Sequence, residues 1–320
     1  MRDIVISIIN YRTADMTIDC ARSVLDQVME GVDADIVIVD NASDDGSVAR
    51  LSAWIDSLPD PSPVRLVASE ANSGFSGGHN QGMAAVPARH YLLLNSDAIL
   101  RPGFLSRILT EARAHPQAGF IAPRLEHLDG EAQISCFRFP GPVSEFIRGA
   151  NSGPVTRLLA AHDVPLTTDP DTTRIDWASF ACILVNGRMV EEIGPMDEGY
   201  FLYFEDAEYC LRGRRAGWRV HYCPEAVAVH FRGGSAPVKA LAKARKRLPR
   251  YFYASRTRFM YQAHGRLGLW AANLLWLVGR GFAGLRHLAG RRGNNFRQNE
   301  VRDIWTNVGA PLGPSFRPGD

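Results

Sequence analysis

The segment YLLLNSDAIL, residues 91–100, sets the first constraint on the fold. Four apolar residues lead directly into the polar triplet Asn95-Ser96-Asp97, after which the chain turns apolar again. A short continuous apolar run is typical of a strand that is buried on both faces of a parallel sheet. A carboxylate at the end of such a strand needs a partner, and Asp97 is therefore the first candidate for a functional residue.

The first 120 residues alternate between strand-like and helix-like patterns. Strands are predicted at IVISIIN (4–10), ADIVIVD (34–40), VRLVAS (64–69), HYLLLNSD (90–97) and AGFIAP (118–123). Helical spacing occupies the intervals, and Pro102 lies in the first turn of one predicted helix. This alternation predicts an α/β fold with a mostly parallel sheet flanked by helices, in which ligands collect at the carboxyl ends of the strands.

Polar residues follow four consecutive strands of this predicted sheet. They are Asn10-Tyr11, Asp40-Asn41, Glu70 with Asn72, and Asn95-Ser96-Asp97. Any single pair is explained by turn and capping preferences, but four in succession favour a site. The segment NSGFSGGHNQG (72–82) adds glycines that let the backbone approach a ligand at a helix N-terminus. Neither a P-loop nor a GxGxxG motif is present.

The chain is less regular after residue 123. LEHLDGEAQISCFRF (125–139) predicts a hairpin around Asp129-Gly130, and residues 140–172, rich in Gly, Pro, Ser and Thr, predict a mobile loop. RIDWASFACILVN (174–186) is strand-like and GRMVEEIG (187–194) is a short helix. A helix ending at Gly217 is followed by two short strands, WRVHYCP and AVAVHF.

Glu205 and Asp206 begin that helix, directly after the aromatic residues Phe201, Tyr203 and Phe204. Acids are favoured at a helix N-terminus by the helix dipole, which is one explanation of the pair. The aromatics predict a partly apolar pocket, in which a carboxylate can act as a general base. Further along the same helix, Glu208 and Arg212 are spaced for an ion pair at i, i+4.

His230 ends the last predicted strand, as Asp97 ends an earlier one. A single histidine at such a position is often structural. If both strand ends face one cleft, however, a carboxylate and an imidazole can bind Mg²⁺ or Mn²⁺ together with substrate phosphates and water.

Charge is distributed unevenly along the 320 residues. Residues 1–236 carry a net charge of −11 and residues 237–320 a net charge of +13, with no acidic residue between Glu225 and Glu300. We therefore divide the chain into 1–236 (a nucleotide-binding half, 1–122, and an acceptor half, 123–236) and a basic, amphipathic, helical region, 237–320. The five scattered cysteines and the absence of a CxxC pair predict a reducing, cytoplasmic location.

The charge of the basic region predicts an anionic partner. Its longest apolar run, Leu267–Gly279, has 13 residues, too few for a transmembrane helix. Trp270, Trp276 and the flanking arginines suit a helix that lies in the interface of an anionic membrane. A helical pair packed on the body is the alternative. The aromatics are not interleaved with basic residues as base-stacking platforms would be, so no nucleic-acid partner is expected.

Six segments, in this order, carry a resemblance to a known family. They are SIINYRT, IVIVDNASDDGS, NSGFSGGHNQGM, YLLLNSDAIL, IGPMDEGYFLYFEDAEYCLRGRRAGW and VHFRGGS. Over residues 3–235 the chain resembles the inverting glycosyltransferases of family 2, which have the GT-A fold, and specifically their rhamnosyltransferase-like branch.

The resemblance implies a role for each motif residue. Asp40, Asn10 and Tyr11 would form the base pocket, and Asn72, Gly74, Gly77 and Asn80 would line the site of the nucleotide and donor sugar. Asn95-Ser96-Asp97 occupies the place of the family's Asp-x-Asp motif, with Asp97 and His230 binding the divalent cation. Asp206 occupies the place of the catalytic base, with Glu205 beside it, and Trp177 and Tyr203 are candidate acceptor contacts.

Two residues depart from the family pattern. Asn95 replaces the first Asp of the motif, which predicts weaker cation binding. Phe180 stands where relatives have Gly, which predicts a narrower acceptor site.

The function that the resemblance implies is transfer of L-rhamnose from dTDP-β-L-rhamnose to a hydroxyl of a lipid-linked cell-surface glycan, at the inner face of the membrane. A UDP-hexose donor and a non-catalytic sugar-nucleotide-binding subunit are the alternatives. A nucleotidyltransferase would need a basic residue near the first strand, where only Arg12 is available.

Overall fold

The computed structural model describes residues 1–28, 32–231, 238–288 and 297–318. Within them the strands are β1 (Arg2–Asn10), β2 (Ala34–Asp40), β3 (Val64–Ala68), β4 (Ala88–Asn95), β5 (Ala98–Leu100), β6 (Ala118–Glu126), β7 (Cys136–Phe137), β8 (Trp177–Ala178), β9 (Cys182–Asn186) and β10 (Arg219–His230). The helices are α1 (Ala14–Val28), α2 (Ser47–Asp56), α3 (Gly74–Ala85), α4 (Phe104–Ala114), α5 (Pro142–Ala150), α6 (Gly153–Leu158), α7 (Gly187–Ile193), α8 (Glu205–Arg215), α9 (Val238–Lys243), α10 (Arg250–Leu288) and α11 (Glu300–Asp303).

Eight of these strands form one sheet in the order β3-β2-β1-β4-β9-β6-β10-β5. The first four strands in this order run parallel, and β6 and β10 are parallel to each other. β9 is antiparallel to both of its neighbours, and β5 is antiparallel to β10. The predicted α/β fold with a mostly parallel sheet flanked by helices is confirmed.

The strands of the first half are apolar on both faces because helices cover both faces. Along β1, Ile4, Ile6 and Ile8 pack into one core cluster, and Val5 packs into another on the opposite face. These four side chains are completely buried. Burial of such a side chain contributes about 1.5–3 kcal/mol, so the continuous apolar runs stabilise the sheet from both sides.

Three local predictions in the second half differ from the structure. Residues 140–172 were expected to form a mobile loop, but they contain α5 and α6 and a short 3-10 helix at Ala160–His162. The predicted hairpin forms only next to its turn at Asp129-Gly130, where His127 N donates to the Glu131 carbonyl oxygen at 2.8 Å and Gln133 N donates to that of Leu125 at 2.7 Å, whereas β7 pairs with β8. The two strands expected at the end are one strand, β10, whose register shifts between Cys223 and Val227.

The basic region packs partly on the body. α10 is interrupted at Gly265, where φ is +70°. Beyond this break, the helix crosses α5 at close range, because a Cβ on Gly149 would lie 2.4 Å from the carbonyl oxygen of Trp276 and a Cβ on Gly279 would lie 2.5 Å from that of Phe146. The predicted boundary at 236/237 and the end of the segment VHFRGGS lie outside the described residues.

The opposite face of α10 is open. Its exposed apolar side chains repeat at helical spacing and form a stripe, which we call the apolar stripe: Leu267, Trp270, Leu274, Val278, Phe282, Leu285 and Leu288. Across the described ranges, no helix is both long and apolar enough to span a bilayer. Both arrangements considered for this region therefore have a structural counterpart, with one face packed and the other exposed.

Candidate active site

The carboxyl ends of β1, β2 and β4 meet at one edge of the sheet. Asn10 is the register partner of Asp40, and Asn95 is the partner of Ile9. The Asp40 carboxylate accepts hydrogen bonds from Asn10 Nδ2 at 2.6 Å and from Ser43 Oγ at 2.7 Å. Asn10 and Asp40 are 0 % and 1 % exposed, so these two side chains stabilise the edge of the sheet from the interior. Their contact with a base stays a prediction.

Tyr11 is the more accessible residue at this edge. Its ring lies 5.1 Å from the guanidinium carbon of Arg12, and Arg12 Nε donates to the carbonyl oxygen of Ser43 at 3.0 Å. This arrangement places an aromatic ring beside a cation at this edge of the sheet, and stacking of a base on Tyr11 stays a prediction.

Asn41 is the residue that organises the glycine-rich turn, residues 72–78. Its Nδ2 atom donates to Asn72 Oδ1 at 3.0 Å and to the Gly74 carbonyl oxygen at 2.9 Å, and its Oδ1 atom accepts from Ser73 N at 3.0 Å. Sequence reasoning treated Asn41 only as a strand-end residue. Its position directly after β2 was the available signal, and the hydrogen bonds across 31 to 33 residues were not predictable from it.

Gly74 connects this turn to the segment that precedes the acid pair. Its φ is +72°, and a Cβ at this position would lie 2.1 Å from the Phe201 carbonyl oxygen. The same oxygen accepts a hydrogen bond from Phe75 N at 2.8 Å. Only glycine fits such a conformation at such a distance, so the residue is needed for contact between two parts of the protein.

Gly77 and Asn80 are predicted to line the donor site, and in the structure both contact other parts of the protein. A Cβ on Gly77 would lie 2.5 Å from the Ser73 side chain. Asn80 Nδ2 donates to the Met196 carbonyl oxygen and to Glu198 Oε1, both at 3.0 Å. Their contact with the donor stays a prediction.

Asp97 and His230 come together as predicted from their positions at strand ends. Asp97 Oδ1 lies 3.3 Å from His230 Nε2, and each residue is only 8 % exposed. Adjacent ligands of an octahedral Mg²⁺ or Mn²⁺ ion, with bonds of about 2.1 Å, lie about 3 Å apart, so the pair fits two neighbouring coordination positions. Beside it, Ser96 Oγ is 3.1 Å from Thr13 Oγ1.

The acid pair Glu205 and Asp206 begins α8 after a strained backbone. Tyr203 and Phe204 have φ values of +71° and +68°, which non-glycine residues rarely adopt. Such strain is concentrated at functional sites, where the surrounding structure maintains it. Further along α8, the predicted ion pair is confirmed, with Arg212 Nε 2.7 Å from Glu208 Oε1.

Burial controls the protonation of the acid pair. It raises the pKa of Asp206 to about 7, although the backbone N–H groups of Ala207, Asp206 and Phe180 oppose this shift. Burial and the neighbouring charge of Asp206 raise the pKa of Glu205 well above its usual range. Glu205 is 6 % exposed, and its Oε2 atom has no hydrogen-bond partner among the described residues. A base with a pKa near 7 is well matched to proton abstraction near neutral pH.

A single turn, residues 179–181, contacts both the acid pair and the end of β4, two residues before Asp97. On one side, Asn95 N donates to the Ala181 carbonyl oxygen at 2.9 Å. On the other side, the backbone N–H of Phe180 lowers the pKa of Asp206. The Phe180 side chain is 2 % exposed and packs on Phe120 and Tyr209 in the core, so the expectation that it narrows the acceptor site is wrong.

Trp177 and Tyr203 are both half-buried against other aromatic rings. The Trp177 ring stacks on Phe137 with 4.3 Å between ring centroids, and its Nε1 atom donates to the Arg138 carbonyl oxygen at 2.9 Å. Tyr203 packs edge-on against Phe252 of α10, with 5.6 Å between centroids. One face of Trp177 is thus already covered, and acceptor binding by either residue stays a prediction.

Comparison with known proteins bears on the family of this chain. The model of glycosyl transferase family 2 matches residues 3–150. The N-acetylglucosaminyl-diphospho-decaprenol L-rhamnosyltransferase of Mycobacterium tuberculosis is 27 % identical over 291 residues, covering 84 % of this chain and 87 % of that protein. Rhamnosyltransferase WbbL of Escherichia coli K12 is 35 % identical over 68 residues, covering 21 % of this chain and 26 % of that protein.

A solved structure has the same fold. The mannosyltransferase PcManGT from Pyrobaculum calidifontis, in complex with GDP-Man and Mn²⁺, superposes with a TM-score of 0.54 at 14 % identity, covering 97 % of this chain and 85 % of that chain. Together with the family match and the similar rhamnosyltransferases, this identifies the chain as a glycosyltransferase with a family 2 domain and the GT-A fold.

Proposed function

We propose that this enzyme transfers L-rhamnose from dTDP-β-L-rhamnose to a hydroxyl of a lipid-linked cell-surface glycan by a single inverting displacement. The observation that carries the mechanism is the turn at residues 179–181, which has Asn95 on one side and Asp206 on the other. The choice of donor and acceptor rests on the similar rhamnosyltransferase, whose name specifies an N-acetylglucosaminyl-diphospho-decaprenol acceptor.

The reaction uses Asp206 as the base. Asp206 accepts the proton of the acceptor hydroxyl while the hydroxyl oxygen attacks the anomeric carbon of the donor. The bond from that carbon to the diphosphate oxygen breaks on the opposite face, and dTDP leaves. The single displacement converts the β-L donor into an α-L-rhamnoside.

The leaving diphosphate is the second requirement of the reaction. Asp97 and His230 would hold Mg²⁺ or Mn²⁺, which when bound neutralises charge that develops on the departing diphosphate. The backbone of the glycine-rich turn, held by Asn41, lies at the start of α3, where an anion is favoured.

The enzyme works at the cytoplasmic face of the membrane in this proposal. The apolar stripe of α10 supplies the contact with lipid, and the exposed Arg266, on the same helix, faces anionic headgroups. A lipid-linked acceptor is then presented to the cleft without leaving the bilayer.

Calorimetry of donor binding tests the proposal. We expect dTDP-rhamnose to bind in the presence of Mn²⁺ or Mg²⁺, to bind more weakly in EDTA, and to bind in preference to UDP-glucose and UDP-galactose. Asp97→Asn should remove the effect of the cation, whereas the exposed control Asp26→Asn should not. Tighter binding of a UDP-hexose would replace the rhamnosyl assignment, and cation-independent binding by wild type would remove the role of Asp97.

A further inference from the structure

A buried ion cluster joins α5 to α10. Glu145 of α5 accepts from Arg148 Nη2 at 2.7 Å and from Arg256 Nη2 at 2.8 Å. Arg256 also donates to Asn273 Oδ1 at 2.8 Å across the break in the helix. Burial alone would raise the pKa of Glu145, but Arg148 and Arg256 hold that pKa at about 2. Glu145 is therefore ionised at every physiological pH.

The cluster continues to α11 through a second glutamate. Glu300 Oε1 lies 2.6 Å from Arg148 Nη1 and 3.3 Å from Arg297 Nη1, and Glu300 Oε2 lies 3.8 Å from Arg280 Nη2. Glu300 is 4 % exposed and Arg280 is 8 % exposed.

Positive charge exceeds negative charge in this cluster. The ion pairs bring four arginines onto two glutamates, an excess of two positive charges. Burial lowers the pKa of Arg280; the charge of Glu300 opposes this shift, and the charges of Arg148 and Arg297 add to it. Desolvated charges of one sign repel each other strongly, so an anion at this place would stabilise the arrangement.

A cleft of about 620 Å³ opens directly on the cluster. It is lined by Arg148, Arg280 and Arg297, with Lys243 added from α9 and the Thr156 hydroxyl from α6. Two carboxylates also line the cleft: Glu300, which the arginines of the cluster already pair with, and Asp163, which accepts a hydrogen bond from Val164 N at 3.1 Å. Guanidinium groups that converge from several elements are suited to phosphate oxygens, which they bind in a bidentate manner.

Contacts of α10 link the ion cluster to the segment before the acid pair. Arg256, which shares Glu145 with Arg148, is three residues, about 4.5 Å of helix rise, before Phe259, whose ring centroid lies 5.8 Å from that of Phe204. Phe204 directly precedes the acid pair. Arg280 is two residues after Val278 of the stripe, about 200° around the helix, and therefore lies on the packed face of α10.

We propose that this cleft binds the diphosphate of the lipid-linked acceptor, with the acceptor sugar toward Asp206. The inference rests on the proposed function, because it assumes an acceptor of that class. A diphosphate diester carries two negative charges, which match the excess of the cluster.

Calorimetry with geranyl diphosphate and inorganic pyrophosphate tests the inference. The variants are Arg297→Gln and Lys243→Gln, alone and combined, with Asp97→Asn to report binding of the probe at the donor site. We expect the combined variant to lose at least tenfold in affinity for geranyl diphosphate, with an unchanged melting temperature, while Asp97→Asn keeps its affinity. Lys243 is exposed, so its variant remains informative if Arg297→Gln lowers stability.

Three results would overturn the inference. The first is loss of geranyl diphosphate binding in Asp97→Asn but not in the combined variant, which would place the probe at the donor site. The second is equal affinity in all variants. The third is that the combined variant loses binding to phosphatidylglycerol vesicles and to geranyl diphosphate equally. That result would identify the cleft as a surface that binds lipid headgroups without selectivity for diphosphate. Failure of dTDP-rhamnose to bind would instead refute the proposed donor while leaving geranyl diphosphate binding intact.

Discussion

Replacing Asp206 with Asn should stabilise the protein and abolish most of its activity. The folded-state pKa of Asp206 is about 7, compared with 3.8 for an unperturbed Asp. The shift of roughly three pH units corresponds to roughly 4 kcal/mol, at 1.36 kcal/mol per unit, which the ionised side chain costs the folded state. A neutral amide carries no charge to desolvate. Above pH 7, the free energy of unfolding of Asp206→Asn should therefore exceed that of wild type by up to this amount.

The difference in stability between wild type and Asp206→Asn should depend on pH. The folded protein binds the Asp206 proton more tightly than the unfolded chain, so wild type loses stability relative to the variant as the pH rises from about 4 to about 7. Below pH 4 both states of wild type are protonated and the difference should vanish. Urea denaturation of wild type, Asp206→Asn and the exposed control Asp26→Asn at pH 4, 6 and 8 measures this directly.

Activity provides the second half of the test. Loss of a general base lowers the rate by about 10²–10⁴-fold, and dTDP-rhamnose binding should be retained. A variant that is no more stable than wild type at pH 8 would refute the burial of a charge at Asp206. A variant that transfers sugar at the wild-type rate would refute its role as the base.

Three further predictions concern the pH profile, the glycine-rich turn and the apolar stripe. The kcat/KM of wild type should rise through about pH 7 as Asp206 ionises, and a profile that is flat from pH 5.5 to 8.5 would contradict the assignment. Gly74→Ala should lower the free energy of unfolding by about 2 kcal/mol or more, because its Cβ would combine a strained backbone with a clash against Phe201. The control Gly46→Ala has φ +86° and no atom within 4 Å, so it should show only the backbone strain. Equal losses in the two variants would refute the contact with Phe201. Leu274→Asp should weaken binding to anionic vesicles about tenfold or more in a flotation assay, while Leu128→Asp, 72 % exposed elsewhere, should not.

The predictable part of the fold is the part that local patterns determine. β1, β2 and β4 are continuous apolar runs because both faces of the sheet are covered, and their ends could be read from Asn10, Asp40 and Asn95. α5 carries a helix signal of its own, with Pro142 in its first turn and amphipathic spacing, and it was missed because the surrounding Gly, Pro and Ser residues favour a loop over the whole of residues 140–172. This helix is held by its close crossing with α10, more than a hundred residues later, and no local pattern reports such a contact.

The site residues divide in the same way. Strand-end position was sufficient to bring Asp97 and His230 together, because β5 and β10 pair directly beside them. Side-chain direction was not predictable at Phe180, because it depends on the interruption between β8 and β9. The mutual hydrogen bond of Asn10 and Asp40 likewise arises from the register of two strands and not from either sequence alone.

The strained backbone before the acid pair connects α10 to the proposed base. Positive φ values at Tyr203 and Phe204 cost about 1–3 kcal/mol each and persist only where neighbouring contacts maintain them. The glycine-rich turn supplies one such contact through the Phe201 carbonyl oxygen, and Phe252 of α10 supplies another by packing against both strained residues. The position of Asp206 therefore depends both on the turn proposed to hold the donor and on the helix proposed to meet the membrane. A structural change at either place can alter the position of the proposed base through these few contacts.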